Sequence, residues 1–344
     1  MKPLRSLLAL AKRAQHGPAI VGSTPHTVVW TENKWRLLRF SPNVRRFRTP
    51  ILLVPSLINR WYVLDLGPGR SFIEWLVARG HEVFCIDWGT PTDEDRFLTW
   101  DDIGGRYLGR AVRVAARYAG GPVHLLGYCL GGTLAAAYVA AFPEYVASFV
   151  ALAAPIDFDH AGIMATWTRT PTFDVRALID AFGNVPWRMM QASFHALKPT
   201  LPAAKLVAVL DRAWDDEFLE GFVATETWGN DNVSFPGACY ARYIDELYRG
   251  NALVRGGFAL AGRRADLAQI TCPVLALAFT DDHIVPLASA APLVDRVASR
   301  DKQLVALGGG HVGAVVSRKA ADRVWPTMAT FWAERDAISA ARRA

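Results

Sequence analysis

From Thr49 onward, short apolar runs alternate with stretches whose apolar residues recur at helical spacing. Ile51–Val54 and residues 81–87 (HEVFCID) read as strands. Between them residues 71–79 are amphipathic and stop at Gly80, a helix-ending residue. Residues 107–118 repeat the helical spacing and end at Gly120-Gly121, and an apolar run follows at 123–127. Val146–Leu152 and residues 273–279 and 303–306 are further strands. Strands alternating with helices predict an α/β chain with a mostly parallel sheet and helices on both faces. Residues 157–265 break this rhythm. They are mainly helical in pattern, hold Trp167, Trp187, Trp214 and Trp228, and are expected to form a cap over the sheet. The expected division is a basic arm at 1–45, a core at 46–156 and 266–344, and a cap at 157–265.

Composition changes the picture in two places. With 344 residues the chain has one large domain or two smaller ones. Its 51% hydrophobic and 20% charged residues, with 12 Trp, exclude a disordered chain. Mean hydropathy is +0.14, which points to apolar surface hidden by a partner or around a greasy substrate. Residues 125–143 carry no charge, nearly the length of a membrane helix. The glycines at 127, 131 and 132 break that run, so strand, turn and buried helix are expected and no transmembrane segment.

Charge is uneven. Ten Lys/Arg against Glu32 give the first 50 residues a net +9, while the whole chain is +6, so the remainder is −3. The arm reads as a solvated helix packed on the core, with an anionic surface or acidic partner as the sharper alternative. No nucleic-acid module accompanies it. Cys85, Cys129, Cys239 and Cys272 lie far apart, which excludes a zinc site or a disulfide framework. The apolar run near the start is too short for an export signal, and the cytoplasm is the expected compartment.

Three segments carry chemistry. Gly127-Tyr128-Cys129-Leu130-Gly131 follows a predicted strand and opens a predicted helix, the context of a nucleophile elbow with Cys in place of Ser. The turn would lift Cys129 to a helix N-terminus, whose dipole favours a thiolate. Taken alone, such a cysteine is as well explained as a small buried hydrophobe. Asp281 and Asp282 follow a late strand, where this fold places its acid. The succeeding His-Ile-Val-Pro favours Asp282, and His283 is a candidate to orient the acid or the substrate, or equally a solvent-facing loop residue. His311 follows three glycines after the last strand. The chain order Cys129, Asp282, His311 is nucleophile, acid, histidine, the order of the α/β-hydrolase fold. An oxyanion hole would use the N–H of Leu130 and that of Leu57 or Ile58, because Pro55 has none.

These residues resemble the polyhydroxyalkanoate synthases. The resemblance spans residues 51–332 and rests on 57–65 (LINRWYVLD), 84–91 (FCIDWGTP), 127–133 (GYCLGGT), 272–275 (CPVL), 282–286 (DHIVP) and 309–311 (GGH). It implies Cys129, Asp282 and His311 as catalytic residues and an (R)-3-hydroxyacyl-coenzyme A substrate. The product would be a polyester, with release of coenzyme A through a Cys-bound acyl-enzyme. It also implies a homodimer at the surface of a polyester granule. The length is similar to the short two-subunit class, which works with a second, non-catalytic subunit, whereas GYCLGG reads closer to the long class. No metal or redox cofactor is implied; coenzyme A is part of the substrate. The same triad could run as a Cys-dependent thioesterase or polyester depolymerase, or serve a small acceptor. A catalytically silent scaffold is the reading from another class.

Overall fold

Apolar residues on alternating positions of each strand must find cover on both sides, and this chain supplies it from helices. The computed structural model describes Arg5, Ser6, Ala9, Leu10, Lys12, Arg13 and residues 19–341. Strands β1 (Thr27–Glu32), β2 (Trp35–Phe40), β3 (Ile51–Val54), β4 (Val83–Asp87), β5 (Val123–Tyr128) and β6 (Val146–Leu152) join β9 (Val274–Phe279) and β10 (Lys302–Leu307) in one sheet of order β1-β2-β4-β3-β5-β6-β9-β10. β1–β2 and β2–β4 pair antiparallel, and every other pair is parallel. A separate small pair, β7 (Ala259–Leu260) and β8 (Arg263–Arg264), lies beyond the cap helices.

Successive residues of the central strands point to opposite faces. Leu52, Phe84, Leu125, Phe149 and Val274 enter one core. Helices α2 (Gly109–Ala119) and α3 (Leu130–Ala141) cover that face. Ile51, Val83, Leu126, Val150 and Leu275 enter the other core. There α1 (Phe72–Ala78) and the C-terminal helix α4 (Arg318–Ala341) supply Phe72, Trp325 and Trp332. Ser71 caps α1 by accepting the Glu74 N–H, and Gly80 follows its end at φ +92°. The uncharged stretch resolves into β5, a turn and α3, whose residues are all buried. A helix apolar all round belongs in a core. Among the described residues, no helix is long and apolar enough to cross a membrane.

The structure departs from the expected basic arm. Residues 27–40 are not an appendage but the two strands at one edge of the sheet. Their cations meet the sheet's own acids: Arg36 pairs with Asp87 at 2.6 Å, and Lys34 with Glu94 at 2.8 Å. Arg39 and Arg45 both reach Glu82, a buried carboxylate. Charge counting alone could not see those partners, which lie some fifty residues away in sequence. Most of residues 1–18 lie outside the described part.

Residues 153–273 stand between β6 and β9, which are neighbours in the sheet. Helices at Gly162–Thr168, Val175–Phe182, Trp187–Leu197, Leu201–Arg212, Asp216–Asn230 and Gly237–Arg242 make up about half of that span. The inner part shares the core of the sheet: Phe158, Phe235, Tyr243, Tyr248 and Phe258 pack in the same cluster as the strands. The outer helices 201–230 have a small cluster of their own, around Val209, Ala213 and Leu219.

Candidate active site

The turn from β5 into α3 is shaped by what it lacks. A Cβ on Gly127 would lie 2.4 Å from the Gly132 Cα, and one on Gly132 would lie 2.3 Å from the Ala154 Cβ. A Cβ on Gly131 would lie 2.2 Å from the Val54 carbonyl oxygen. Only glycine permits this approach of α3 to β3 and β5. Between them Cys129 is forced to φ +56°, ψ −130°, a strained backbone for a residue with a side chain. Its N–H donates to the Leu152 carbonyl at 3.0 Å, anchoring the turn on β6. The side chain is half-buried where the two cores meet.

His311 and Asp282 come to Cys129 from the ends of β10 and β9. His311 Nδ1 lies 2.7 Å from Asp282 Oδ2, both side chains buried. Burial disfavours the charged imidazole. The Cys129 sulfur on one side and the Asp282 carboxylate on the other outweigh it and push His311 up to about 10. The two aspartates left open by the sequence now separate. Asp282 Oδ1 accepts the N–H groups of Ile284 and Val285, each at 2.8 Å. Asp281 is exposed and accepts the Gly309 N–H at 3.2 Å, tying the acid loop to the histidine loop.

His283 takes the solvent-facing place that the sequence left open beside an acid-orienting one. Its side chain is exposed, and among the described residues it makes no hydrogen bond to Asp282. The turn after β9 folds back so that backbone amides cap the carboxylate, which sends the intervening side chain to solvent.

Leu130 is the first residue of α3, where N–H groups have no intrahelical acceptor. Leu57 and Ile58 are buried in the loop after β3, and their N–H groups donate to no acceptor among the described residues. That loop is pinned from two sides. Trp88 Nε1 donates to the Pro55 carbonyl at 3.0 Å. From the cap, Asn232 Oδ1 accepts the Asn59 amide at 2.5 Å and Asp231 pairs with Arg60 at 3.0 Å.

Four residues at the site were not singled out from the sequence. The Tyr128 ring stacks on His311 at 5.3 Å, and its hydroxyl donates to the His311 carbonyl at 3.2 Å. Tyr243, Tyr248 and Phe158 meet edge-on as a buried aromatic group within the core that Cys129 also touches. Burial is the main cause that raises both hydroxyls well above the usual phenol range; for Tyr243 the neighbouring Tyr248 and then Cys129 add to it, and for Tyr248 Cys129 adds to it against the hydrogen bond with Tyr243. The two tyrosines are five apart, a spacing that a regular helix would splay. Residues 243–249 instead form a π-helical turn, which places i and i+5 together. Tyr128, beside Cys129, was the only one of the four that sequence position could have flagged. Among the described residues, no cluster of His, Cys, Asp and Glu could hold a metal ion. A cavity of about 610 Å³, lined by Arg48, His124, Arg300 and Arg335, lies at the opposite end of the strands.

The α/β-hydrolase fold family matches residues 49–316, and the family described as the poly-beta-hydroxybutyrate polymerase (PhaC) N-terminus matches residues 13–76. The chain is similar to poly(3-hydroxyalkanoate) polymerase subunits PhaC from three organisms. Identity is 35% with that of Haloferax mediterranei, covering 92% of this chain and 65% of that one. It is 34% with that of Allochromatium vinosum, covering 91% and 90%. It is again 34% with that of Synechocystis sp., covering 92% and 86%. Among solved structures, a monoacylglycerol lipase from Paleococcus ferrophilus superposes with TM-score 0.55 at 16% identity over 87% of this chain and 99% of that one. A hydrolase from Pseudomonas aeruginosa PA01 gives 0.54 at 17% over 90% and 99%. These likenesses show the fold. The relatives carry the finer assignment, and by them the chain belongs to the poly(3-hydroxyalkanoate) polymerase family of the α/β-hydrolase superfamily.

Proposed function

We propose that this chain polymerises (R)-3-hydroxyacyl-coenzyme A through an acyl-enzyme on Cys129, with His311 as proton carrier and Asp282 as its support. The observation that carries the reading is the buried His311–Asp282 pair, Nδ1 2.7 Å from Oδ2, on an imidazole that also feels the Cys129 sulfur. In the first half-reaction the Cys129 proton goes to His311 and the sulfur attacks the thioester carbonyl. The Leu130 N–H and that of Leu57 or Ile58 meet the developing oxyanion. Collapse breaks the bond to the coenzyme A sulfur, which leaves with the proton from His311. In the second half-reaction a 3-hydroxyl of the next monomer or chain end gives its proton to His311 and attacks the acyl-cysteine. An ester forms and Cys129 is released. The Asp282 carboxylate stabilises the imidazolium in both halves. The buried wall of Phe158, Tyr243 and Tyr248 supports the choice of a hydroxyl over water.

Exposed Leu206, Val207 and Trp214 on the outer cap helices support an apolar partner. In this reading that partner is the polyester surface, a second copy of the chain or a non-catalytic subunit. The test is a time course with 3-hydroxybutyryl-coenzyme A, following thiol release and the acyl group together. Acyl label retained on protein and then in high-mass polyester is expected. Free 3-hydroxybutyrate matching the thiol would replace the reading with a thioesterase. Cys129→Ala is expected to lower thiol release by on the order of 10⁴-fold or more.

A further inference from the structure

A single buried clasp joins the end of the π-helical turn to the segment that follows β6. Asn251 is 1% exposed and sits at φ +46°. Its Nδ2 donates to Asp157 Oδ1 and to Asp159 Oδ2, both at 2.8 Å, and its Oδ1 accepts the Phe158 N–H at 3.0 Å. A carboxamide can donate to two carboxylates and accept from the backbone at once; a carboxylate cannot. Arg169 reinforces the clasp. Its guanidinium donates to the Tyr248 carbonyl at 2.8 Å and the Phe158 carbonyl at 3.2 Å, and pairs with Asp159 at 2.5 Å. On the other side, the Ser289 hydroxyl donates to the Asp157 carbonyl at 2.8 Å, and its own carbonyl accepts the Ile156 and Asp157 N–H groups. The piece of backbone so fixed carries Phe158. Its ring stands edge-on to Tyr248 at 4.9 Å and to Tyr243 at 5.9 Å, the two tyrosines whose hydroxyls feel the Cys129 sulfur.

We propose that Asn251 is a positioning residue: by clamping residues 157–159 to the π-helical turn, it keeps Phe158, Tyr243 and Tyr248 closed over Cys129, so that an acyl group on Cys129 meets a hydroxyl rather than water. The inference rests on the acyl-transfer reading above. Asn251 touches no reacting atom. It acts through the ring whose backbone N–H it holds.

The test uses the full chain with Asn251→Ala, Asn251→Asp and the exchanged pair Asn251→Asp/Asp157→Asn. Two quantities are read: the rate of Cys129 alkylation by iodoacetamide, with Cys129→Ala as the blank, and the fraction of released acyl groups appearing as free 3-hydroxybutyrate. Asn251→Ala is expected to raise both, alkylation by about tenfold, since buried carboxylates lose their donor. Asn251→Asp sets a third carboxylate against two and is expected to do the same. The exchanged pair restores the donor–acceptor contact between positions 251 and 157 but leaves a carboxylate at 251 facing Asp159, so alkylation is expected to fall clearly below that of Asn251→Asp without reaching the parent rate. Unchanged alkylation and partition in Asn251→Ala, or no recovery in the exchanged pair, overturns the proposal. If Asn251→Ala fails to fold, Asn251→Asp against the exchanged pair decides. If the parent chain itself yields only free acid, the transfer reading falls, while the alkylation rates still decide the clasp.

Discussion

Asp281 and Asp282 are adjacent in sequence and unlike in surroundings. Asp282 is 5% exposed, with one oxygen under two amides and the other on His311. Asp281 is exposed and serves loop geometry. Asp282→Asn should leave the shape of the site intact but present an amide to Nδ1 and favour the wrong tautomer. We expect kcat for thiol release to fall by on the order of 10⁴-fold with little change in KM. Asp281→Asn should change it by no more than about twofold, as surface substitutions do. Steady-state thiol release on the two purified variants makes the comparison, and equal losses would reassign the acid. At this scale the sequence was legible where an uncommon residue is forced. The glycines around Cys129 signal the close approach of α3, and the glycines before His311 signal a loop. For His283 the sequence left a solvent-facing loop residue as open as an orienting one, because nothing local tells whether a side chain or its neighbours' amides will face a carboxylate.

The loop after β3 is an element whose function depends on other elements. Residues that a generic hydrolase would not need hold it: Asn59 on Asn232 and Trp88 on the Pro55 carbonyl. Asp65, fully buried, accepts the Thr24 N–H and hydroxyl at 3.0 and 2.7 Å and so binds the chain ahead of β1 to the same region. The motif at 57–65 is therefore a set of tertiary anchors that fix the amides of Leu57 and Ile58. Asn59→Ala loosens that loop without removing a donor. Removing one oxyanion donor typically costs ~2.7–4 kcal/mol of transition-state stabilisation, and we expect a smaller effect here, about a tenfold loss of kcat. KM should move much less, because the oxyanion forms only in the transition state. A KM effect without a kcat effect would make Asn59 a substrate-binding residue instead. The π-helical turn at Tyr243–Arg249 belongs to this scale too. Apolar periodicity marks that stretch as helical, but the hydrogen-bond register that brings Tyr243 onto Tyr248 depends on packing against Phe158 and Asn251.

Across the molecule, both cores are closed by helices brought from far along the chain, and two buried histidines are trapped in the process. His81 stacks on Phe47 at 3.8 Å, and His124 lies over Trp332 at 6.2 Å with its Nδ1 2.8 Å from the Ser148 hydroxyl. Burial lowers His81 to about 4 and His124 to about 3. Below pH 6.5 the unfolded chain takes up protons that the folded one refuses, so this stability is present above about pH 6.5 and drains as the pH falls toward 3–4. At about 1.4 kcal/mol per pH unit and group, the two sites should remove about 4 kcal/mol between pH 6.5 and pH 5. His311 does not add to this loss, since its shift is upward. Urea midpoints at pH 7 and pH 5 measure the loss, and His124→Gln, which keeps a partner for Ser148, should remove about half of it. An unchanged midpoint at pH 5 would mean that both rings charge in place. The sequence by itself determined the layered α/β order, the elbow at Cys129 and the succession Cys129, Asp282, His311, because periodicity, glycine and chain order are local or linear properties. Tertiary structure decided the rest. It set residues 27–40 at the edge of the sheet, placed Asp282 against His311 and under two backbone amides, left His283 exposed, and joined Phe158 to Tyr243, Tyr248 and Asn251. Those outcomes depend on which distant groups satisfy each buried charge and hydrogen bond, and such partners exist only once the chain has folded.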